Sequence, residues 1–218
     1  MSSWTLLQLA DSGLPTGGFA HSGGLEAALQ LGRCRGEGGL ARFVEEALWN
    51  AGDASLPFVS AAHGDPSRLA ELDRRCDAAL PGAVANRASR LQGQAFLRAG
   101  GAAAPELAPL AETVEREGLA GHLAPLFGAA LRLAGASHDE ALRLFLFQSA
   151  RGILSAGVRL GVAGPLEAQG LLAAAGRTCE AVLVATRGRR PEEAASSAPL
   201  LELCQSLQER LYSRLFRS

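Results

Sequence analysis

Apolar residues recur along this chain at i, i+3 and i+4, while the apolar–polar alternation of half-buried strands is almost absent. The run "GGLARFVEEALWNAG" places Leu40, Phe43, Val44, Ala47 and Leu48 on one helical face. Shorter runs predict helices over 4–10 and 22–31, the second ended by Gly32. Asp65-Pro66 reads as a helix start, the aspartate capping and the proline filling a position whose N–H would be unpaired anyway. Helices follow over 67–79, 84–98 and 105–117, and another opens near Pro125 in "GHLAPLFGAALRLAG". Ser137 and Glu140 have the S-x-x-E spacing of a capping box. From there "EALRLFLFQSARGILSAGVRLG" is apolar almost all round, interrupted chiefly by Arg143, Gln148, Arg151 and Arg159. Such a helix is expected to be buried on every side, as the centre of a bundle or in an oligomer interface. Gly164-Pro165 opens a helix to about residue 186, and "RGRRPEEAASS" reads as a connector over 187–197. Pro199 opens the last helix. The expected fold is all-α: one domain over 1–218, a bundle of roughly eight to ten helices, with a flexible connector about 187–197 and a short tail over 209–218.

Composition sharpens this picture. Hydrophobic residues make up 48% and aromatics 5%, so the core is built from Leu, Ala and Val, a helix-forming set. A formal charge of −1 supplies no field to attract nucleic acid or an anionic membrane. No apolar run nears the roughly 20 residues needed to span a bilayer, and the opening lacks an export signal. A cytoplasmic location is expected. All 21 basic residues are arginines, which excludes Schiff-base chemistry and a phosphate-loop lysine within this chain. Cys34, Cys76, Cys179 and Cys204 form no C-x-x-C pair and are expected as free thiols.

The stretch "LADSGLPTGGFAHSGGLEAALQLG", residues 9–32, concentrates the candidate chemistry. A dinucleotide fingerprint would need a strand before it. Asp11, Ser12 and His21 are the residue types of a catalytic set, but no strained nucleophile elbow surrounds Ser12, and Asp11-Ser12 is better read as a turn cap. His21, His63, His122 and His138 lack metal-ligand spacing. The expectation is therefore no enzyme, and no catalytic, metal or cofactor residue. The glycines, with Pro15, Leu14 and Phe19, shape a contact surface instead.

At the other end, a helical "ERLYSRLFRS" would align Arg210, Arg214 and Arg217, with Leu211 and Leu215 on another face and Tyr212 and Phe216 extending that strip. So short a segment holds no helix alone. It either tucks onto its own body or is ordered by a partner.

The opening, with Gln8, Asp11, Pro15, Gly17, His21, Ser22, Leu25 and Glu26 in order, resembles the urease accessory protein family UreF. So does the ending "ERLYSRLFRS", and, less sharply, the central "HLAPLFGAALRLAG…ALRLFLFQSARGILSAGVRLG". The resemblance implies an all-α, cytosolic homodimer without catalytic residues that acts in maturing the nickel enzyme urease. It implies a UreH-type (or UreD-type) accessory protein as partner, and a UreG-type GTPase that carries the GTP and the nickel destined for apo-urease. It favours the partner-ordered tail, with Leu211, Tyr212, Ser213, Arg214, Leu215, Phe216 and Arg217 as the contact residues. It places Phe19, His21, Arg143, Phe147 and Arg159 on dimer or GTPase-facing surfaces, with Phe19 and Arg159 close enough for a cation–π contact. Gln208 departs from the family, which commonly has histidine there. The alternative is a generic helical adaptor with no role in metal delivery.

Overall fold

Local caps start the helices where the sequence asks for them. In the computed structural model, which describes residues 3–11, 13–34 and 36–217, the Ser67 N–H donates to Asp65 Oδ1 at 3.0 Å. The Glu140 N–H donates to Ser137 Oγ at 3.3 Å, and the Ser137 N–H to Glu140 Oε2 at 2.7 Å, completing the capping box. Eleven α-helices and no strand occur among the described residues. They are α1 (Ser3–Ala10), α2 (Leu25–Gln30), α3 (Gly39–Ala54), α4 (Leu56–Gly64), α5 (Leu69–Ala79), α6 (Ala83–Ala103), α7 (Ala108–Glu117), α8 (Leu123–Leu133), α9 (His138–Arg159), α10 (Pro165–Ala185) and α11 (Pro199–Leu207).

The centre of the bundle is not the helix the sequence nominates. Every residue of α8 from Ala124 to Leu131 is buried, wrapped by α4, α5, α6 and α9. Helix α4 lies directly against it, its Leu56, Phe58, Val59, Ala62 and His63 all buried. Gly128 permits this crossing: a Cβ there would sit 2.2 Å from the Val59 carbonyl oxygen. Helix α9 buries Ala141, Phe145, Leu146, Ala150, Ile153 and Leu154, yet keeps Arg143, Phe147, Gly152 and Ser155 exposed. The expectation of burial on every side is corrected within this chain, because α3, α4, α8 and α10 cover only part of its circumference.

The connector over 187–197 carries a short 3-10 turn, Pro191–Glu193, and is tied down. Arg189 pairs with Asp53, Arg75 Nη1 reaches Glu192 Oε1 at 2.7 Å, and Asn50 Oδ1 accepts from Ser196 and Ser197. Helix α11 then returns to pack on α2 and α6, which brings the two terminal motifs together.

Candidate functional site

Two glycines turn the head of the chain onto its end. Gly23 and Gly24 have φ of 63° and 89°, and a Cβ on Gly24 would lie 3.0 Å from the Gln205 backbone nitrogen, so the loop meets α11 backbone to backbone. Just beyond, Glu26 sits in the first turn of α2 and is only 4% exposed. A buried carboxylate needs donors, and the far end of the chain supplies them. Its Oε1 accepts from the Leu215 N–H at 2.6 Å; its Oε2 accepts from the Phe216 N–H at 3.1 Å and from Gln208 Nε2 at 2.6 Å. Gln30 Nε2 donates to the Ser213 carbonyl at 3.0 Å, and the Arg217 N–H to the Ala20 carbonyl at 2.8 Å.

These bonds correct the helical reading of the tail. After the 3-10 turn Gln208–Arg210, the backbone opens at Leu211 into an irregular strap along α2, because side-chain and backbone partners on the body take its N–H groups in place of a helical ladder. The strap lies on its own chain. Phe216, read from sequence as part of a partner strip, is 2% exposed inside this subunit. Tyr212 is fully exposed, and Leu215, Arg214 and Arg217 also face outward.

Arg159, at the end of α9, locks the junction. Its guanidinium lies 3.4 Å from the Phe19 ring centroid and 4.2 Å from that of Phe216, and its Nη1 donates to the Phe19 carbonyl. The expected Phe19–Arg159 contact is thus present, and the same guanidinium meets a second ring, Phe216, that the sequence did not point to. Each such contact contributes about 0.5–2 kcal/mol. Beside it opens a groove of about 310 Å³ lined by His21, Arg87, Leu91, Glu209, Arg214 and Arg217. Arg87 pairs with Glu209. Burial, and then the nearby Arg217 charge, hold the His21 imidazole below its usual pKa, so it is neutral at pH 7.

Arg143 and Phe147 do not join this cluster. They lie 12 or more residues up α9 from Arg159, roughly 18–24 Å at helical rise. Arg143 meets the requirement for a paired acid: its Nε and Nη2 donate to Glu180 on α10 at 2.7 and 3.0 Å, with Asp139 at 3.5 Å. The hydrogen-bonded Glu180 raises the Arg143 pKa, and Arg143 lowers that of Glu180. Helices α9 and α10 also carry exposed apolar residues: Leu166 is 89% exposed, Val184 69% and Phe147 41%.

Of the residues weighed for catalysis, Asp11 caps a turn, accepting from the Gly13 N–H at 3.0 Å; Ser12 lies outside the described residues. A different serine–histidine–aspartate set, missed in the sequence because its members are 33 and 45 residues apart, occurs at the start of α8. His122 Nδ1 is 3.1 Å from Ser89 Oγ and its Nε2 is 3.0 Å from Asp77 Oδ1. The Asp77 carboxylate faces the ring at Nε2 and the Ser89 hydroxyl faces it at Nδ1. His122 is fully buried, Ser89 Oγ also accepts from the Leu123 N–H, and Asp73 accepts from the Gly121 and His122 N–H groups at 3.2 and 2.7 Å. The set ties the start of α8 to α5 and α6 through a fully buried imidazole. No group of three or more His, Cys, Asp or Glu suited to a metal occurs among the described residues, and no described helix is long and apolar enough to cross a membrane.

The family model for UreF matches residues 34–176. The chain is 36% identical to urease accessory protein F of Oryza sativa subsp. indica over 223 residues, covering 99% of this chain and 85% of the relative. It is 35% identical to that of Arabidopsis thaliana, covering 99% and 92%, and 31% identical to urease accessory protein UreF of Mycobacterium tuberculosis, covering 94% of each. The chain belongs to the UreF family. The family model leaves out the head and the strap, but the rice and Arabidopsis relatives align over 99% of this UreF chain.

Proposed function

We propose that this protein is a non-catalytic scaffold of urease maturation, acting in the cytoplasm. In this reading it pairs with itself, binds a UreH/UreD-type accessory protein through the head–strap junction, and recruits a UreG-type GTPase that brings GTP and nickel for apo-urease. The observation that carries the reading is the junction itself. Arg159 and Glu26 are spent on fixing one surface, and that surface then leaves Phe19, Tyr212 and Leu215 bare beside a groove with arginines. Bare aromatic and aliphatic anchors ringed by arginine are what a protein partner takes up. The exposed Phe147, Leu166 and Val184 on α9 and α10 support a second contact, made between two copies of the chain.

The test is co-purification with a UreH-type protein, read by mass. Tyr212→Ala with Leu215→Ala is expected to weaken the complex at least tenfold and leave the far-UV circular dichroism unchanged. Undiminished binding by that double variant overturns the junction as the contact surface.

A further inference from the structure

We infer that Glu26 is the latch that sets the conformation of the C-terminal strap, and that partner binding depends on it although no partner can touch it. This rests on the reading of the head–strap junction as the contact surface. Both carboxylate oxygens are used, by two consecutive backbone N–H groups of the strap and by the Gln208 amide. Consecutive N–H groups held by one carboxylate fix the direction of the chain at Leu215 and Phe216. That direction sends the Phe216 ring inward onto Arg159 and turns Leu215 and Arg214 outward. Glu26 is thus a positioning residue.

Gln208 shows how little slack the site has. It is fully buried, its Nε2 is shared between Glu26 Oε2 and the Phe216 carbonyl, and its Oε1 is the one buried side-chain oxygen or nitrogen without a partner among the described residues. An amide at position 26 could offer a hydrogen to Gln208 Oε1, but it has a single oxygen for two strap N–H groups that now take one oxygen each. In Glu26→Gln one strap N–H would face an NH₂ group, donor against donor, and the strap should come away while the helices stay.

The experiment has two readouts. On the isolated full chain, trypsin should cut after Arg210 and Arg214 at least tenfold faster in Glu26→Gln than in wild type, with the Leu215 and Phe216 amides losing protection from hydrogen exchange and the helical signal unchanged. Capture of the UreH-type protein should fall at least tenfold in the same variant. Gln208→Leu, which removes one donor to the same carboxylate, should shift both readouts in the same direction by less, and keeps the test open should Glu26→Gln misfold. Wild-type cleavage and exchange rates in both variants overturn the latch. A freed strap with full-strength capture overturns its role in binding. A wild-type chain that captures no such partner overturns the functional reading beneath it and leaves the cleavage result standing.

Discussion

Single side chains in this protein are held to their tasks by buried acceptors. Asp73 takes two backbone N–H groups at the start of α8 with 1% of its surface exposed, and Asp73→Ala would strand both. Each stranded donor costs about 1–3 kcal/mol, so a loss of a few kcal/mol is expected in urea denaturation. His63 sets a pH dependence. Buried, and giving Nε2 to the Ala136 carbonyl at 2.9 Å, its pKa is lowered from 6.5 chiefly by burial, with His138 and Arg132 nearby adding to the effect. Between that depressed value and 6.5 the unfolded chain binds a proton that the folded chain refuses, so stability falls as pH drops below about 6.5. The sign is the same for His21. Denaturation midpoints from pH 7.5 to 5 should therefore decline before the carboxylates titrate, and His63→Gln should flatten part of that slope. The carboxylates Asp77 and Glu140, held below their usual pKa by hydrogen bonds, add a further loss only at lower pH.

Among the elements, glycine decides how closely helices cross. Gly128→Ala forces α4 and α8 apart, since the new methyl would meet the Val59 carbonyl, and a cost of about 1–3 kcal/mol is expected from the overpacking. Gly101→Ala, near the end of α6 with nothing within 4 Å, should instead gain up to about 1 kcal/mol. Equal shifts in the two urea midpoints would argue against the close crossing. The elements most open to reading from sequence were those with a cap or a clean stripe, such as α3, α5 and α9. Helix α4 was not among them. "LPFVSAAHG" is apolar on all sides, which leaves no period to detect, and it is buried for that same reason. The choice of centre follows: α9 announces itself by length, whereas α8 and α4 are short, with most of their residues buried. The Arg159–Phe19 contact was legible through the family resemblance, but the strap's docking was not, because its partners on Glu26 lie 182 to 190 residues away.

For the whole molecule, the two surfaces make separable predictions. Glutamate at both Leu166 and Val184 would put charge among the exposed apolar residues of α9 and α10. Sedimentation at micromolar concentration is expected to show a dimer for wild type and a monomer for that variant, with UreH-type binding through the strap retained. Removing residues 211–218 should do the reverse: the dimer and the helical signal persist, and the complex is lost. A wild-type monomer would remove self-association from the proposed function and leave the strap untouched.

The clasp also dictates an order of events during synthesis. Glu26 leaves the ribosome early and must wait for Phe216, 190 residues behind it, before its oxygens are satisfied. A nascent or prematurely stopped chain can assemble most of its helices yet lacks the finished junction. On the proposed reading of the junction, such products would not occupy the partner that a chain with the docked strap binds.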